Sequence, residues 1–274
     1  MQTEQPSRTA MGVALRRAAH QALDRPPVFA DPLALRILGP EYAARLPPGA
    51  PRLRAFLAVR SRYAEDRLAS ACERGARQYV LLGAGLDTFA YRNPHADLRV
   101  FEVDHPATQQ WKRERLRDAG MAVDANTVFV AVDFERQSLA GALTAAGFRR
   151  DKRAFFSWLG VTPYITLEAF DATATFIASL PAGSGVVFDY VTARSALGPA
   201  EQLALDALAV RVAGAGEPFR LFFEPGDLRR RLRAMGFGTV EDLGTDEINA
   251  RYFAARADGL CLQGGAGRLV NAAV

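Results

Sequence analysis

Short apolar runs alternate with helical patterns from residue 78 onward, and this alternation constrains the fold more than any other feature of the sequence. The first run, Gln78-Tyr79-Val80-Leu81-Leu82, ends at a glycine and is continuously apolar, which is typical of a strand buried on both faces. Similar runs predict strands at 98–103, 127–132, 154–159 and 185–190, separated by predicted helices at 108–119, 139–146 and 167–180. Because parallel neighbours need crossover connections, the pattern predicts a doubly wound α/β fold with a mostly parallel sheet.

The segments on either side of this alternation are mainly helical in pattern. Upstream, helices are predicted at 14–23, directly after Asp31-Pro32 and at 53–73, with Asp31 as the N-cap of the second. Downstream, the sequence predicts helices at 199–212 and 227–235, then strands at 239–243 and near Leu260. No internal repeat is visible, so we expect one compact unit with additions to a central sheet.

The composition is that of an ordinary globular protein and argues against several classes. Apolar residues make up 49% of the chain and charged residues 23%, and the basic residues are spread among acidic neighbours, so nucleic acid is not an expected partner. No segment approaches about 18 uninterrupted apolar residues, so a membrane is not expected either. Cys72 and Cys261 are single and far apart, which does not fit a zinc site or a disulfide scaffold, and no metal is expected. Because residues 1–10 lack the apolar core of a signal peptide, we expect a cytoplasmic protein.

A glycine pair follows the first predicted strand and marks a candidate ligand site. In doubly wound sheets, ligands bind outside the carboxyl ends of the strands, near the point where the strand order reverses. Gly83-Ala84-Gly85 lies at such an end, and glycine lets a ligand approach the backbone where a side chain would collide. A tight strand-to-helix turn without a ligand is the alternative for this feature alone.

Acidic residues close the next two predicted strands. Asp104 ends the second strand, about twenty residues beyond the glycines, where a carboxylate can accept hydrogen bonds from ribose hydroxyls. Asp133 ends the third strand, so the two acids would bracket a nucleoside along the sheet edge. Dinucleotide oxidoreductases share the first two features, but Thr88 stands where their third fingerprint glycine is expected. An NAD(P)-dependent oxidoreductase therefore stays open as a less favoured alternative.

The block from Arg74 to Thr88, followed by Tyr91-Arg92 and by Phe101-Glu102-Val103-Asp104-His105-Pro106, resembles the leucine carboxyl methyltransferase family and more closely its bacterial branch. The resemblance implies a Rossmann-like class I methyltransferase with a seven-stranded sheet, one strand of which is antiparallel. It also implies S-adenosylmethionine as cofactor, S-adenosylhomocysteine as product and a helical cap at residues 1–73 over a cofactor-binding core at 74–274.

The resemblance also implies the cofactor contacts. Asp104 is expected at the ribose with His105 at the adenosine rim, and Asp133 with the Phe134 backbone at the adenine. The loop holding Gly83, Ala84, Gly85 and Asp87 is expected along the methionine portion. Arg60 and Arg17 are expected to face the methionine carboxylate, because a guanidinium binds a carboxylate through two hydrogen bonds.

One position departs from the family pattern and bears on the acceptor. Members that methylate a leucine carboxyl group carry a glutamate before the glycine of the fourth-strand motif, where this chain has Leu159. We therefore expect O-methylation of a small-molecule carboxylate or hydroxyl. We do not assume that this chain shares the phosphatase-methylating activity of the members that methylate a leucine carboxyl group. A hydroxyl acceptor would need a general base, for which His20 and Tyr164 are candidates. A non-catalytic, S-adenosylmethionine-binding regulatory protein is the remaining alternative.

Overall fold

The computed structural model describes residues 7–43, 46, 51–133, 137–214 and 216–274. Within these ranges one seven-stranded sheet has the order β3-β2-β1-β4-β5-β7-β6, and β7 runs antiparallel to both of its neighbours. The strands are β1 Gln78–Leu82, β2 Arg99–Asp104, β3 Thr127–Ala131, β4 Ala154–Trp158, β5 Gly185–Val191, β6 Thr239–Leu243 and β7 Gly267–Ala273. The predicted doubly wound, mostly parallel sheet is confirmed, and its first six strands were predicted to within one residue.

The helices flank the sheet and extend beyond it at the N-terminus. Their bounds are α1 Arg8–Leu23, α2 Ala34–Leu38, α3 Pro40–Ala43, α4 Pro51–Glu73, α5 Pro106–Asp118, α6 Leu139–Ala145, α7 Leu167–Ala178, α8 Pro199–Gly214, α9 Pro225–Ala234 and α10 Thr245–Tyr252. None of the helices in the described part of the chain has the length and apolar character needed to cross a membrane.

The sheet is buried on both faces because successive side chains of each strand point to opposite sides. On β1, Val80 and Leu82 belong to the apolar cluster that contains Leu143 of α6 and Ile177 of α7. Tyr79 and Leu81 belong instead to the cluster formed with α4 and α10. Helix α4 therefore shares the core of the sheet, whereas α1 and α2 pack in a separate cluster with α5.

Two sequence-based expectations about elements are wrong. The last strand is β7, not a strand near Leu260; in that region Leu262 is a buried loop residue whose N–H donates to Asn249 Oδ1 at 2.8 Å. Helix α2 begins at Ala34 with Leu33 as its N-cap. Asp31 Oδ1 accepts the Leu33 N–H at 3.2 Å and the Thr88 hydroxyl at 2.7 Å, and Oδ2 contacts Arg17, so the carboxylate joins a local turn to two distant residues.

Candidate functional site

A cavity of about 950 Å³ lies at the carboxyl ends of β1, β2 and β4, where the strand order reverses. This is the position at which doubly wound sheets bind ligands. The cavity lining brings together most of the residues singled out from the sequence: Arg17, Arg60, Gly83, Ala84, Gly85, Asp87, Asp104, His105, Asp133 and Tyr164. Phe134 lies outside the described residues.

The loop that follows β1, here called the glycine loop, requires glycine at two positions, 83 and 85. Gly83 and Gly85 both have positive φ, +68° and +46°. A Cβ atom on Gly83 would lie 2.3 Å from Val161 Cγ2, so the turn after β4 packs directly on the loop. The N–H groups of Gly83 and Ala84 both donate to the Val103 carbonyl, at 2.8 and 3.1 Å, which ties the loop to β2.

Asp104, the last residue of β2, holds this loop from the other side. Its Oδ2 accepts the Gly85 N–H at 2.6 Å, and its Oδ1 accepts the His105 N–H at 2.7 Å. Burial raises the pKa of the Asp104 carboxyl, although these two backbone hydrogen bonds oppose the shift. Each carboxylate oxygen keeps a further lone pair, so Asp104 can accept hydrogen bonds from a diol that enters the cavity.

His105 and Asp133 lie at the next two positions along the cavity. His105 is the N-cap of α5, and its Nδ1 accepts the Ala107 N–H at 3.3 Å, so the imidazole is held at the rim. Asp133 follows β3, and its N–H donates to Gln137 Oε1 at 3.0 Å. Both residues line the cavity together with Asp104.

The two arginines at the cavity differ in how far other side chains already engage them. Arg17 Nη1 donates to Asp87 Oδ2 at 2.9 Å and its Nη2 contacts Asp31, while its Nε is buried without a hydrogen-bond partner. Arg60 has a single carboxylate partner within the described residues, Asp189 Oδ2 at 2.8 Å from Nη1. Arg60 therefore keeps more donors for an entering carboxylate than Arg17.

His20, a candidate base from the sequence, does not lie at the cavity. Its ring is fully buried and is not part of the cavity lining. Nε2 accepts the Val28 N–H at 2.9 Å, so Nδ1 carries the proton and donates to Asp24 Oδ2 at 2.7 Å. Both nitrogens are thus occupied in fixing the chain after α1, a role that the sequence pattern did not reveal.

Tyr164 does line the cavity, but its chemistry is that of a hydrogen-bond donor. Burial is the largest influence on the hydroxyl and raises its pKa to about 12. The ring packs against Phe219 at 5.4 Å between centroids. Tyr164 is therefore protonated near neutral pH and forms part of an aromatic wall.

Leu159 occupies the cavity wall directly after β4, so no carboxylate is present at the position where the sequence pattern of the family has glutamate. Asp189 was not among the residues predicted from the sequence; it lies near the end of β5 and accepts hydrogen bonds from Arg60 and from the Gly160 N–H. The same signal that identified Asp104, an acid near the end of a buried strand, could have found it.

Comparisons with known proteins show similarity over most of the chain. Residues 10–178 match the family model described as leucine carboxyl methyltransferase. YktD of Bacillus subtilis (strain 168), which bears the provisional name of an S-adenosyl-L-methionine-dependent methyltransferase, is 33% identical over 296 aligned residues, covering 95% of each chain. A protein of Mycobacterium ulcerans (strain Agy99) with the same provisional name is 34% identical over 66% of this chain and 63% of its own length.

Two solved structures show the same fold at lower identity. A DUF574-family protein of Streptomyces avermitilis MA-4680 superposes with a TM-score of 0.58 at 17% identity, over 95% of this chain and 96% of its own. A structure from Thermobifida fusca YX, provisionally named a methyltransferase, gives 0.57 at 18% identity, over 98% and 95%. With the match over residues 10–178 and the similarity to the Bacillus protein, the chain belongs to the leucine carboxyl methyltransferase family.

Proposed function

We propose that this protein methylates a carboxylate oxygen of a small molecule. As a member of its family it is an S-adenosylmethionine-dependent methyltransferase. When bound, this cofactor supplies a sulfonium methyl group for an in-line displacement, for which alignment and exclusion of water are the main requirements. The proposal concerns the methyl acceptor and the acceptor atom that receives the methyl group.

The residues present fit the cofactor. The glycine loop leaves the backbone open, the buried Arg17 Nε lacks a hydrogen-bond partner, and Asp104 presents a carboxylate beside the loop. We assign Asp104 to the ribose and Asp133 with the Phe134 backbone to the adenine. Arg60 is assigned to the methionine carboxylate, because its Nη2 and Nε have no hydrogen-bond partner among the described residues.

The N-terminal segment is assigned as the cap of the cavity. Ala10, Val13, Ala14 and Arg17 of α1 contribute to the cavity lining, and Ser7 Oγ at the start of α1 donates to Glu217 Oε1 at 2.8 Å. These contacts close the side of the cavity opposite the sheet and reduce the access of water. We accordingly divide the chain into a cap at 1–73 and a core at 74–274, with α4 packed on the core sheet.

A carboxylate acceptor is favoured because Tyr164 and Glu168, which both line the cavity, are poorly tuned as general bases. A general base acts best when its pKa lies near the operating pH. The pKa of Tyr164 is raised to about 12, while hydrogen bonds from the Glu168 backbone and from Thr166 lower the pKa of the Glu168 carboxyl. A carboxylate is already ionised at neutral pH and needs only placement, for which Tyr164 can donate a hydrogen bond.

The apolar wall suggests the rest of the acceptor. Tyr164, Ile165 and Val13 line the cavity, and Phe219 packs on the outer face of Tyr164. Apolar walls with few polar groups are typical of sites for small organic ligands. An acid with an aliphatic or aromatic body therefore fits this side better than a polyhydroxylated one.

The experiment is a transfer assay with purified protein and S-adenosylmethionine. The substrates are a panel of aliphatic and aromatic acids, the matching alcohols and phenols, and a peptide that ends in leucine. Methyl esters of small acids, identified by mass spectrometry and by their lability to base, are the expected products. Methyl ethers alone, or esterification of the leucine peptide alone, would contradict the proposal.

Titration calorimetry with S-adenosylhomocysteine and NAD separates the alternatives. Micromolar S-adenosylhomocysteine binding without NAD binding excludes an oxidoreductase. Binding without transfer to any class of acceptor in the panel would favour the regulatory protein over the enzyme.

A further inference from the structure

Asp189 is buried in β5, two residues before the end of the strand, and is not among the residues that line the cavity. We propose that Asp189 is a positioning residue that holds Arg60 and the turn after β4 in the arrangement that receives the amino-acid portion of the cofactor. The inference rests on the proposed placement of Arg60 at the methionine carboxylate.

Three contacts of Asp189 meet at this place. Its Oδ2 accepts from Arg60 Nη1 at 2.8 Å, and its Oδ1 accepts the Gly160 N–H at 2.6 Å. Its carbonyl oxygen accepts from Thr162 Oγ1 at 2.5 Å. One residue thereby joins β5, helix α4 and the turn that follows β4.

The ion pair is shielded from water, since the side chains of Arg60 and Asp189 are each only 8% exposed. In such surroundings a charge without its partner is unfavourable, so the aspartate selects one arrangement of an otherwise flexible arginine. Arg60 lines the cavity and Asp189 does not, which places the carboxylate behind the guanidinium as seen from the ligand. The remaining donors of Arg60 are free to meet a second carboxylate.

Gly160 leaves the space that this arrangement requires. It has a φ of +71°, and a Cβ atom there would lie 2.9 Å from both Nη1 and Nη2 of Arg60. The guanidinium therefore lies directly against the backbone of the turn. The N–H of this same glycine is bonded to Asp189, so arginine and turn are fixed by the two oxygens of one carboxylate.

The same turn leads into the acceptor side of the cavity. Thr162, held by the Asp189 carbonyl, begins the short 3-10 helix Thr162–Tyr164. The Tyr164 N–H donates to the Val161 carbonyl at 2.9 Å within that turn. Asp189 thus supports Arg60 on the cofactor side and the base of the Tyr164 wall on the acceptor side.

Ligand binding to the Asp189→Asn variant tests this role without any acceptor. The amide keeps the shape and one oxygen for the Gly160 N–H, but removes the charge that holds Arg60. By calorimetry we expect about tenfold or greater weakening for S-adenosylhomocysteine. For 5′-methylthioadenosine, which lacks the amino-acid portion, we expect a change of less than about twofold. A purely structural role would weaken both ligands alike.

Two further variants complete the test. Arg60→Ala should show the same selectivity between the two ligands, and adding Asp189→Asn to it should cause little further loss, because the two residues act as one unit. The matched control is Asp206→Asn on α8, whose ion pair with Arg194 is at the surface, with 49% and 57% of the side chains exposed. It should bind both ligands like the wild type.

Several results would overturn the proposal. These are equal loss of both ligands in Asp189→Asn, loss of neither, or additive effects in the double variant. Should Asp189→Asn fail to fold, Gly160→Ala provides a second test, because its Cβ would displace the guanidinium while leaving the Asp189 carboxylate in place. The same selective loss is expected there, and an equal loss would contradict the proposal. A wild-type protein that binds neither ligand would instead contradict the proposed function.

Discussion

The guanidinium of Arg17 on α1 and the carboxylate of Asp87 in the glycine loop are joined by a hydrogen-bonded ion pair of 2.9 Å. A second carboxylate, Asp31, contacts the same guanidinium and also accepts from the Thr88 hydroxyl at 2.7 Å. The N-terminal helix is thus attached to the loop that forms the floor of the cavity. The same buried charges thus hold α1 against the loop and fix the position of Asp87 in it.

Replacing Arg17 by methionine should therefore destabilise the whole protein. Asp87 and Asp31 would each lose their nearest cation in a buried place, and breaking such a pair costs about 3–5 kcal/mol. Urea unfolding, followed by circular dichroism, measures the difference. The control is Arg62→Met, which removes a surface ion pair with Asp66 and should cost at most about 1 kcal/mol. A loss below about 1 kcal/mol in Arg17→Met would contradict this account.

Binding through Asp104 should weaken in mild acid. Burial raises the pKa of this carboxyl, so it takes up a proton at a pH where an exposed aspartate is still ionised. The protonated form is a poorer acceptor for ribose hydroxyls. We expect the affinity for S-adenosylhomocysteine, measured by calorimetry, to fall as the pH is lowered from 7 to 5.

In Asp104→Asn the affinity at pH 7 should be roughly tenfold to a hundredfold lower, and its dependence on pH should be reduced. Asp97→Asn, in the exposed loop before β2, is the matched control and should behave like the wild type. An unchanged affinity in Asp104→Asn would show that the ribose lies elsewhere.

The sheet and the floor of the cavity were predictable because their signals are local. Each parallel strand is a continuous apolar run, and Gly83, Gly85 and Asp104 follow directly from the ends of two such runs. Both glycines have a positive φ, a backbone conformation that favours glycine, and this residue type is visible in the sequence. The parallel strands and the glycine loop therefore follow from residues that are close together in the chain.

The cap was less predictable because distant residues decide its side-chain roles. The local sequence predicts Asp31 as a helix cap, and its carboxylate does accept the Leu33 N–H at 3.2 Å, but it is also bound by the distant Arg17 and Thr88. The sequence suggests His20 as a general base on a helix that covers the site. In the structure the chain after α1 folds back, and the Val28 N–H donates to the His20 ring. Such tertiary partners carry no periodic signal in the sequence.

Packing between the two loops that meet at Gly83 offers a further test. Gly83→Ala should be destabilising for two reasons: the positive φ costs about 1–2 kcal/mol with a side chain, and the new Cβ would lie 2.3 Å from Val161 Cγ2. Adding Val161→Ala removes the methyl group in conflict and should restore the steric part of the loss only. A double-mutant cycle from denaturant unfolding measures this coupling. Additive effects of the two substitutions would contradict the packing described for the loops.

His20 should contribute to stability in a pH-dependent manner. Burial is the largest influence on the ring and lowers its pKa, so it is neutral in the folded protein near pH 6.5, where it begins to take up a proton in the unfolded chain. Its contribution is therefore fully present above about pH 6.5 and is lost as the pH falls toward the lowered value.

The stability difference between the wild type and His20→Asn should accordingly shrink between pH 7.5 and pH 5.5. Taking this difference at each pH cancels the titration of carboxyls common to both proteins, such as Asp104. Urea unfolding at the two pH values provides the measurement, and His95→Asn, in the loop before β2, controls for the loss of a histidine outside the cap. A difference that grows toward pH 5.5 would mean that the folded protein holds His20 charged, with Asp24 as its counter-ion, and the buried ring would not be the neutral acceptor of the Val28 N–H.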